Sequence, residues 1–85
     1  MVYKITINRR AIKTLEKINE PAYSAIKRAI YELANNPRPQ GYKKLKGRMA
    51  FRIRVGDYRI IYEIFDEILS IEIVNLGHRK NIYEH

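Results

Sequence analysis

Phe51-Arg-Ile-Arg-Val-Gly-Asp-Tyr-Arg-Ile-Ile-Tyr62 reads as two alternating strands joined by the two-residue turn Gly56-Asp57. Such a hairpin fixes its register. Val55 faces Tyr58, Ile53 faces Ile60, Phe51 faces Tyr62, and Arg54 lies opposite Arg59. Phe51, Ile53, Val55, Tyr58, Ile60 and Tyr62 then form one apolar face, and Arg52, Arg54 and Arg59 stand on the other. Like charges directly opposed across a strand pair are unfavourable, so a sequence selected only for stability tends not to place them there. An external polyanion reverses that sign, which points to a phosphate backbone.

Working outward, Val2 to Ile7 alternates and predicts a first strand with Tyr3, Ile5 and Ile7 on one face. Asn8 suits a helix cap, and Ile12, Leu15 and Ile18 predict a short amphipathic helix over 9–18, ending before Pro21. Pro21 suits the first position of a second helix. Its stripe is Ala22, Ile26, Ile30 and Leu33, with Ala25 and Ala29, and Asn35-Asn36-Pro37 ends it. Pro37 to Gly47 reads as a basic loop or poorly ordered edge anchored by Leu45. After the hairpin, Asp66-Glu67 turns the chain into a last strand in which Leu69, Ile71 and Ile73 alternate with Ser70 and Glu72. Asn75 to His85 reads as short and polar. The order β-α-α-β-β-β predicts an α+β fold: an antiparallel helix pair on one face of a small, largely antiparallel sheet. The helices belong on the apolar face, leaving the arginine face open to solvent or ligand. At 85 residues, the chain reads as one domain, 1–85.

Seventeen Lys and Arg against nine Asp and Glu give a formal charge of +8, which favours a polyanionic partner, nucleic acid or acidic protein. The carboxylates lie mostly outside 38–62, where Asp57 is the only acid. With no cysteine, disulfides and cysteine-built metal sites are excluded, and the composition suits a reducing cytoplasm. No apolar run approaches the roughly 18 residues needed to span a membrane, and the first residues alternate instead of forming a signal block. The expectation is a cytoplasmic protein with no membrane partner.

Several chemistries lack their parts. There is no Gly-rich phosphate loop of the Walker or Rossmann kind, and the two histidines, His78 and His85, do not suggest a metal site. The acids do not converge as a two-metal nuclease requires, and Ser24 and Ser70 have no evident triad. What remains is metal-free and cofactor-free chemistry on a phosphate, with arginines stabilising charge on the non-bridging oxygens. RNA is the natural substrate, because its 2′-hydroxyl can attack the adjacent phosphorus.

Gly77-His-Arg-Lys-Asn-Ile-Tyr83 is the second constellation: a flexible glycine, the titratable His78, the cations Arg79 and Lys80, and an aromatic ring. An unstacked base can rest on Tyr83 while Arg79 reaches its phosphate. The imidazole of His78 is a group suited to acid–base work, but a lone loop histidine reads more often as a surface residue. Lys43, Lys44 and Lys46 read as diffuse electrostatic anchors for RNA. Arg52 and Arg54 also fit the solvated side of an amphipathic strand, Tyr58 and Tyr62 share the core parity, and Glu63 reads as a general base or, preferably, a counter-ion for the arginines.

Leu45-Lys-Gly47, Phe51-Arg-Ile-Arg54, Gly56-Asp-Tyr-Arg-Ile-Ile-Tyr62 and Gly77-His-Arg-Lys-Asn-Ile-Tyr83 together resemble the RelE family of toxins from toxin–antitoxin modules, over nearly the whole chain. The resemblance implies a RelE-like fold and a ribosome-dependent endoribonuclease that cuts mRNA in the ribosomal A site by 2′-hydroxyl attack, leaving a 2′,3′-cyclic phosphate. It implies three partners: the ribosome, mRNA, and a cognate antitoxin, acidic or amphipathic, that wraps the toxin. By motif position it implies Arg59 as transition-state stabiliser, Arg79 as general acid or charge stabiliser, and Tyr83 as the group that orients or stacks on mRNA. Arg52 and Arg54 fall where RelE itself has lysines. An arginine does not give up its proton, so Arg54 reads as a phosphate clamp, and the base is left among His78, Glu63 and a ribosomal group. A C-terminal helix of the kind found in some relatives is not expected after Tyr83, so antitoxin control is expected to cover the arginine face. Two alternatives share these features: a non-enzymatic gyrase inhibitor of the ParE type, and an inactive RNA- or ribosome-binding module.

Overall fold

A computed structural model describes residues 2–82. It contains strand β1 (Lys4–Ile7), helices α1 (Arg9–Glu16) and α2 (Ala22–Leu33), and strands β2 (Lys43–Lys44), β3 (Phe51–Val55), β4 (Tyr58–Phe65) and β5 (Ser70–His78), with a 3-10 turn at Asp66–Ile68. The sheet order is β1-β5-β4-β3-β2. β1 runs parallel to β5, and the other pairs are antiparallel. The α+β architecture is the one expected, with one strand more than the sequence suggested. β2 arises inside the segment read as a loop, where Lys43 pairs with Arg52 and Lys44 with Phe51.

Local chemistry sets the element boundaries. The Asn8 side chain accepts from the Ala11 N–H at 2.8 Å, satisfying one of the orphan donors at the start of α1. Its amide nitrogen donates to the Val74 carbonyl at 2.8 Å, which fixes that helix end against β5. α2 buries Ile26, Ile30 and Leu33 along one stripe, as its spacing predicts. The hairpin register is the expected one in every pair, including Arg54 opposite Arg59.

The helices cover the apolar face. Ala11, Leu15, Ile26, Ile30 and Leu33 meet Phe51, Ile53, Ile60, Tyr62, Ile71, Ile73 and Leu76 in the main core. Tyr62 is fully buried and donates to the Pro37 carbonyl at 2.7 Å; burial pushes its phenol up to about 12. The loop after α2 is also fastened outside the core. Arg38 pairs with Asp66 at 2.8 Å, and the Tyr3 hydroxyl donates to the same carboxylate at 2.6 Å. The Arg38 hydrogen bond, then that from Tyr3, holds the Asp66 carboxyl below its usual range.

The reverse face differs from expectation. It carries a second small core in which Leu45, Ala50, Ile61 and Ile82 pack together with Val74. Leu45 does anchor its segment, at 1% exposure. The same packing covers part of the face expected to stay open, and Arg52, opposite Ile61, is only 6% exposed. The open arginine face is therefore confined to the hairpin end, near Arg54 and Arg59.

β5 continues to His78, past the point where alternation ends in the sequence, because a bulge lies in the β4–β5 ladder. Ile61 pairs with Asn75 and Tyr62 with Ile73, so Val74 is an extra residue in β5. An extra residue inverts the parity of everything after it. Leu76 thus rejoins the helix-side core, and Gly77 comes to lie opposite Arg59.

Candidate active site

The turn at Gly56 takes φ +59°, a left-handed conformation in which glycine is unstrained. This tight reversal brings Arg54, at the end of β3, directly across from Arg59 on β4. The third cation arrives from β5. Just beyond the strand, the Arg79 N–H donates to the Asp57 carbonyl at 2.8 Å, tying the tail to the hairpin tip, and Arg79 Nε lies 3.9 Å from the Asp57 carboxylate. Arg54, Arg59 and Arg79 line one hollow of about 170 Å³ together with Gly56, Asp57 and Tyr58. That volume is below the roughly 300 Å³ at which small-molecule pockets begin. It suits a charged group such as one phosphate, with the rest of a longer ligand lying outside.

The three guanidiniums differ in freedom. Arg54 and Arg79 are exposed, whereas Arg59 is half-buried and its Nη1 donates to the Ile82 carbonyl at 3.5 Å. Half-burial and this long contact restrict the Arg59 side chain before any ligand arrives, which favours stabilising charge without reorganisation. Asp57, read from the sequence as turn material, organises Arg79 through both its carbonyl and its carboxylate. Its position as the only acid in 38–62 was the available signal.

The structure separates other candidates from this group. His78 pairs with Tyr58, and the two rings meet edge-on at 5.6 Å between centroids. Tyr58 packs on the main core, so His78 lies on the helix side of the sheet, where it lines a second hollow with Arg10, Thr14 and Lys17. Its Nδ1 accepts from the Lys80 N–H at 3.2 Å. Glu63 stands opposite Glu72, four residues along β4 from Arg59, so it is not placed as a counter-ion within the arginine hollow. Lys43, Lys44, Lys46 and Lys80 are all exposed, and the Lys44 ammonium donates to the Arg48 carbonyl at 3.1 Å. Tyr83 lies outside the described residues. Ile82 falls in the stretch that reads as a polar tail, yet it seals the second core and its carbonyl receives Arg59.

No helix among the described residues is long and apolar enough to cross a membrane. Comparison with known proteins gives a consistent picture. The family described as "ParE toxin of type II toxin-antitoxin system, parDE" matches residues 5–83. The mRNA interferase toxin RelE of Escherichia coli K12 is 25% identical over 83 residues, covering 94% of this chain and 86% of that protein. Toxin RelG of Mycobacterium tuberculosis is 31% identical over 86 residues, covering 98% of each. Among solved structures, the archaeal RelE–RelB complex of Pyrococcus horikoshii OT3 superposes with a TM-score of 0.84 at 27% identity, covering 96% of this chain and all of the other. The fold, the hairpin and the match across nearly the full chain agree, and the chain belongs to the ParE/RelE family of toxins from type II toxin–antitoxin systems.

Proposed function

We propose that this chain is a RelE-like mRNA interferase, a metal-independent endoribonuclease acting on ribosome-bound mRNA and held in check by a cognate antitoxin. The observation that carries the reading is the convergence of Arg54, Arg59 and Arg79 on one phosphate-sized hollow. In the proposed reaction the 2′-hydroxyl oxygen attacks the adjacent phosphorus, the P–O5′ bond breaks, and negative charge accumulates on the non-bridging oxygens. Arg59, held by the Ile82 carbonyl, stabilises that charge. Exposed Arg54 clamps the phosphate, and Arg79, steered by Asp57, stabilises the charge on the departing 5′-oxygen, which takes its proton from solvent. The proton lost from the 2′-hydroxyl goes to a group other than these three, because a guanidinium stays charged. Tyr83 stacks on a base of the mRNA. Lys43, Lys44, Lys46 and Lys80 hold the backbone, and nearly buried Arg52 adds charge from within the sheet. The antitoxin assignment is supported by the RelB chain bound to the archaeal relative.

The test is cleavage of mRNA on translating ribosomes. Arg59→Ala and Arg79→Ala should each lower the rate about 100-fold or more, the usual cost of one preorganised charge stabiliser. A 2′-deoxy nucleotide 5′ of the cut should abolish the reaction. Full cleavage by both variants, or gyrase-linked DNA breaks with intact mRNA, would overturn the reading.

A further inference from the structure

Gly77 carries no positive φ, so its backbone does not call for glycine. What it supplies is space. A Cβ built on Gly77 meets Ile82 Cδ1 at 3.1 Å and Cγ1 at 3.3 Å, both tighter than ordinary carbon contacts. Ile82 is 7% exposed and wedged among Leu45, Ala50, Ile61 and Val74, so it has little room to retreat. Gly77 is also the β5 residue directly opposite Arg59.

The connection between Gly77 and Ile82 is a tight reversal: the Asn81 N–H donates to the His78 carbonyl at 2.8 Å, and the Arg79 N–H to the Asp57 carbonyl at 2.8 Å. Seating Ile82 on Gly77 therefore fixes two things at once. It sets the carbonyl that receives Arg59 Nη1, and it closes the turn that carries Arg79.

We infer that the Cβ-free notch of Gly77 and the Ile82 side chain seated in it are a positioning device that aims Arg59 and Arg79 at the same phosphate. The inference rests on the proposed reading of the arginine hollow. The Arg59–Ile82 contact is already at 3.5 Å, the outer limit of a hydrogen bond, so a retreat of Ile82 by a few tenths of an ångström breaks it. Neither Gly77 nor Ile82 lines the arginine hollow; both act through the arginines.

The experiment compares wild type, Gly77→Ala, Ile82→Val and the double variant. Two readouts are used: inorganic phosphate binding, followed by the NMR signal of the Arg59 Nε–H, and cleavage of ribosome-bound mRNA. Gly77→Ala should weaken phosphate binding and slow cleavage by about tenfold, the scale expected for a sub-ångström misplacement of charge-stabilising groups. Ile82→Val deletes the Cδ1 atom that the new Cβ meets first. The double variant should therefore recover most of both losses, although it carries two core substitutions. A merely structural role predicts that Gly77→Ala lowers the melting temperature while the folded protein binds phosphate, and shows the Arg59 Nε–H signal, as wild type does. A double variant no better than Gly77→Ala, or a Gly77→Ala protein that binds phosphate like wild type, would overturn the inference. If phosphate binding follows the expected pattern while wild type does not cleave mRNA, the device stands and the proposed nuclease activity fails.

Discussion

Arg54 and Arg59 face each other across the hairpin with Arg79 nearby, so the site should cost the empty protein stability, and Arg54→Gln isolates that cost. The substitution keeps most of the side chain's length and removes one charge. Long side chains on facing strands, splayed around a shared hollow, hold their charges on the order of 7 Å apart, the spacing of diagonal cross-strand neighbours. At that separation in water, each like-charge pair costs about 0.6 kcal/mol. Arg54 feels two cations and one carboxylate, a net repulsion of about one such pair, consistent with the roughly 0.2–1 kcal/mol assigned to like charges opposed across strands. Arg54→Gln should therefore raise the melting temperature by about 3 °C at low salt for a domain of this size. At 0.15 M salt, where the screening length is about 8 Å, the gain should shrink to less than half. The same variant should cleave mRNA about 10-fold or more slowly. Thermal unfolding at two ionic strengths, run beside the cleavage assay, gives both numbers. A variant less stable than wild type at low salt, or a gain indifferent to salt, would refute the reasoning.

Two further predictions concern the fastening of the loop after α2. Tyr62→Phe removes the donor to the Pro37 carbonyl inside the core and should cost about 1–2 kcal/mol in denaturant unfolding. Because burial raises the Tyr62 pKa to about 12, its favourable contribution is present below the unfolded value of about 10 and is lost as pH rises through the folded one. Tyr62→Phe should therefore lose less stability than wild type between pH 10 and 12. Asp66 has the opposite sign: its folded pKa is depressed by Arg38 and Tyr3, so its contribution is present above the unfolded value near pH 4 and is lost as pH falls through the folded one. Asp66→Asn should be less stable than wild type at pH 7, and the two unfolding curves should converge in acid.

The hairpin was legible because a two-residue turn and a strict period of two leave one register, and Arg54 opposite Arg59 follows from it. The helix stripes were legible for the same reason, through the spacing of Ile26, Ile30 and Leu33. Long-range packing was not. Parity put Arg52 on the correct face but could not show that Leu45, Ala50 and Ile82 build a core there. The two residues of β2 are too few to show a period. His78 was separated from the arginines by one inserted residue, Val74, whose bulge leaves no local mark in an apolar strand. Gly77 reads as a flexible glycine because glycine usually signals backbone freedom, whereas here the missing side chain makes room for another residue.

The strand order also governs how the site can come into being. β5 lies inside the sheet, between β1 and β4, yet it is the last strand among the described residues, and its pairing with β1 joins Lys4 to Ser70. Contacts between such distant segments form only after a large loop-closure entropy has been met, which makes them late events in folding. Until residues 70–78 have left the translating ribosome, β1 has no neighbour and β4 pairs on one side only. The arginine hollow cannot assemble on a partial chain, so under the proposed nuclease reading a growing polypeptide carries no finished site while it is being made.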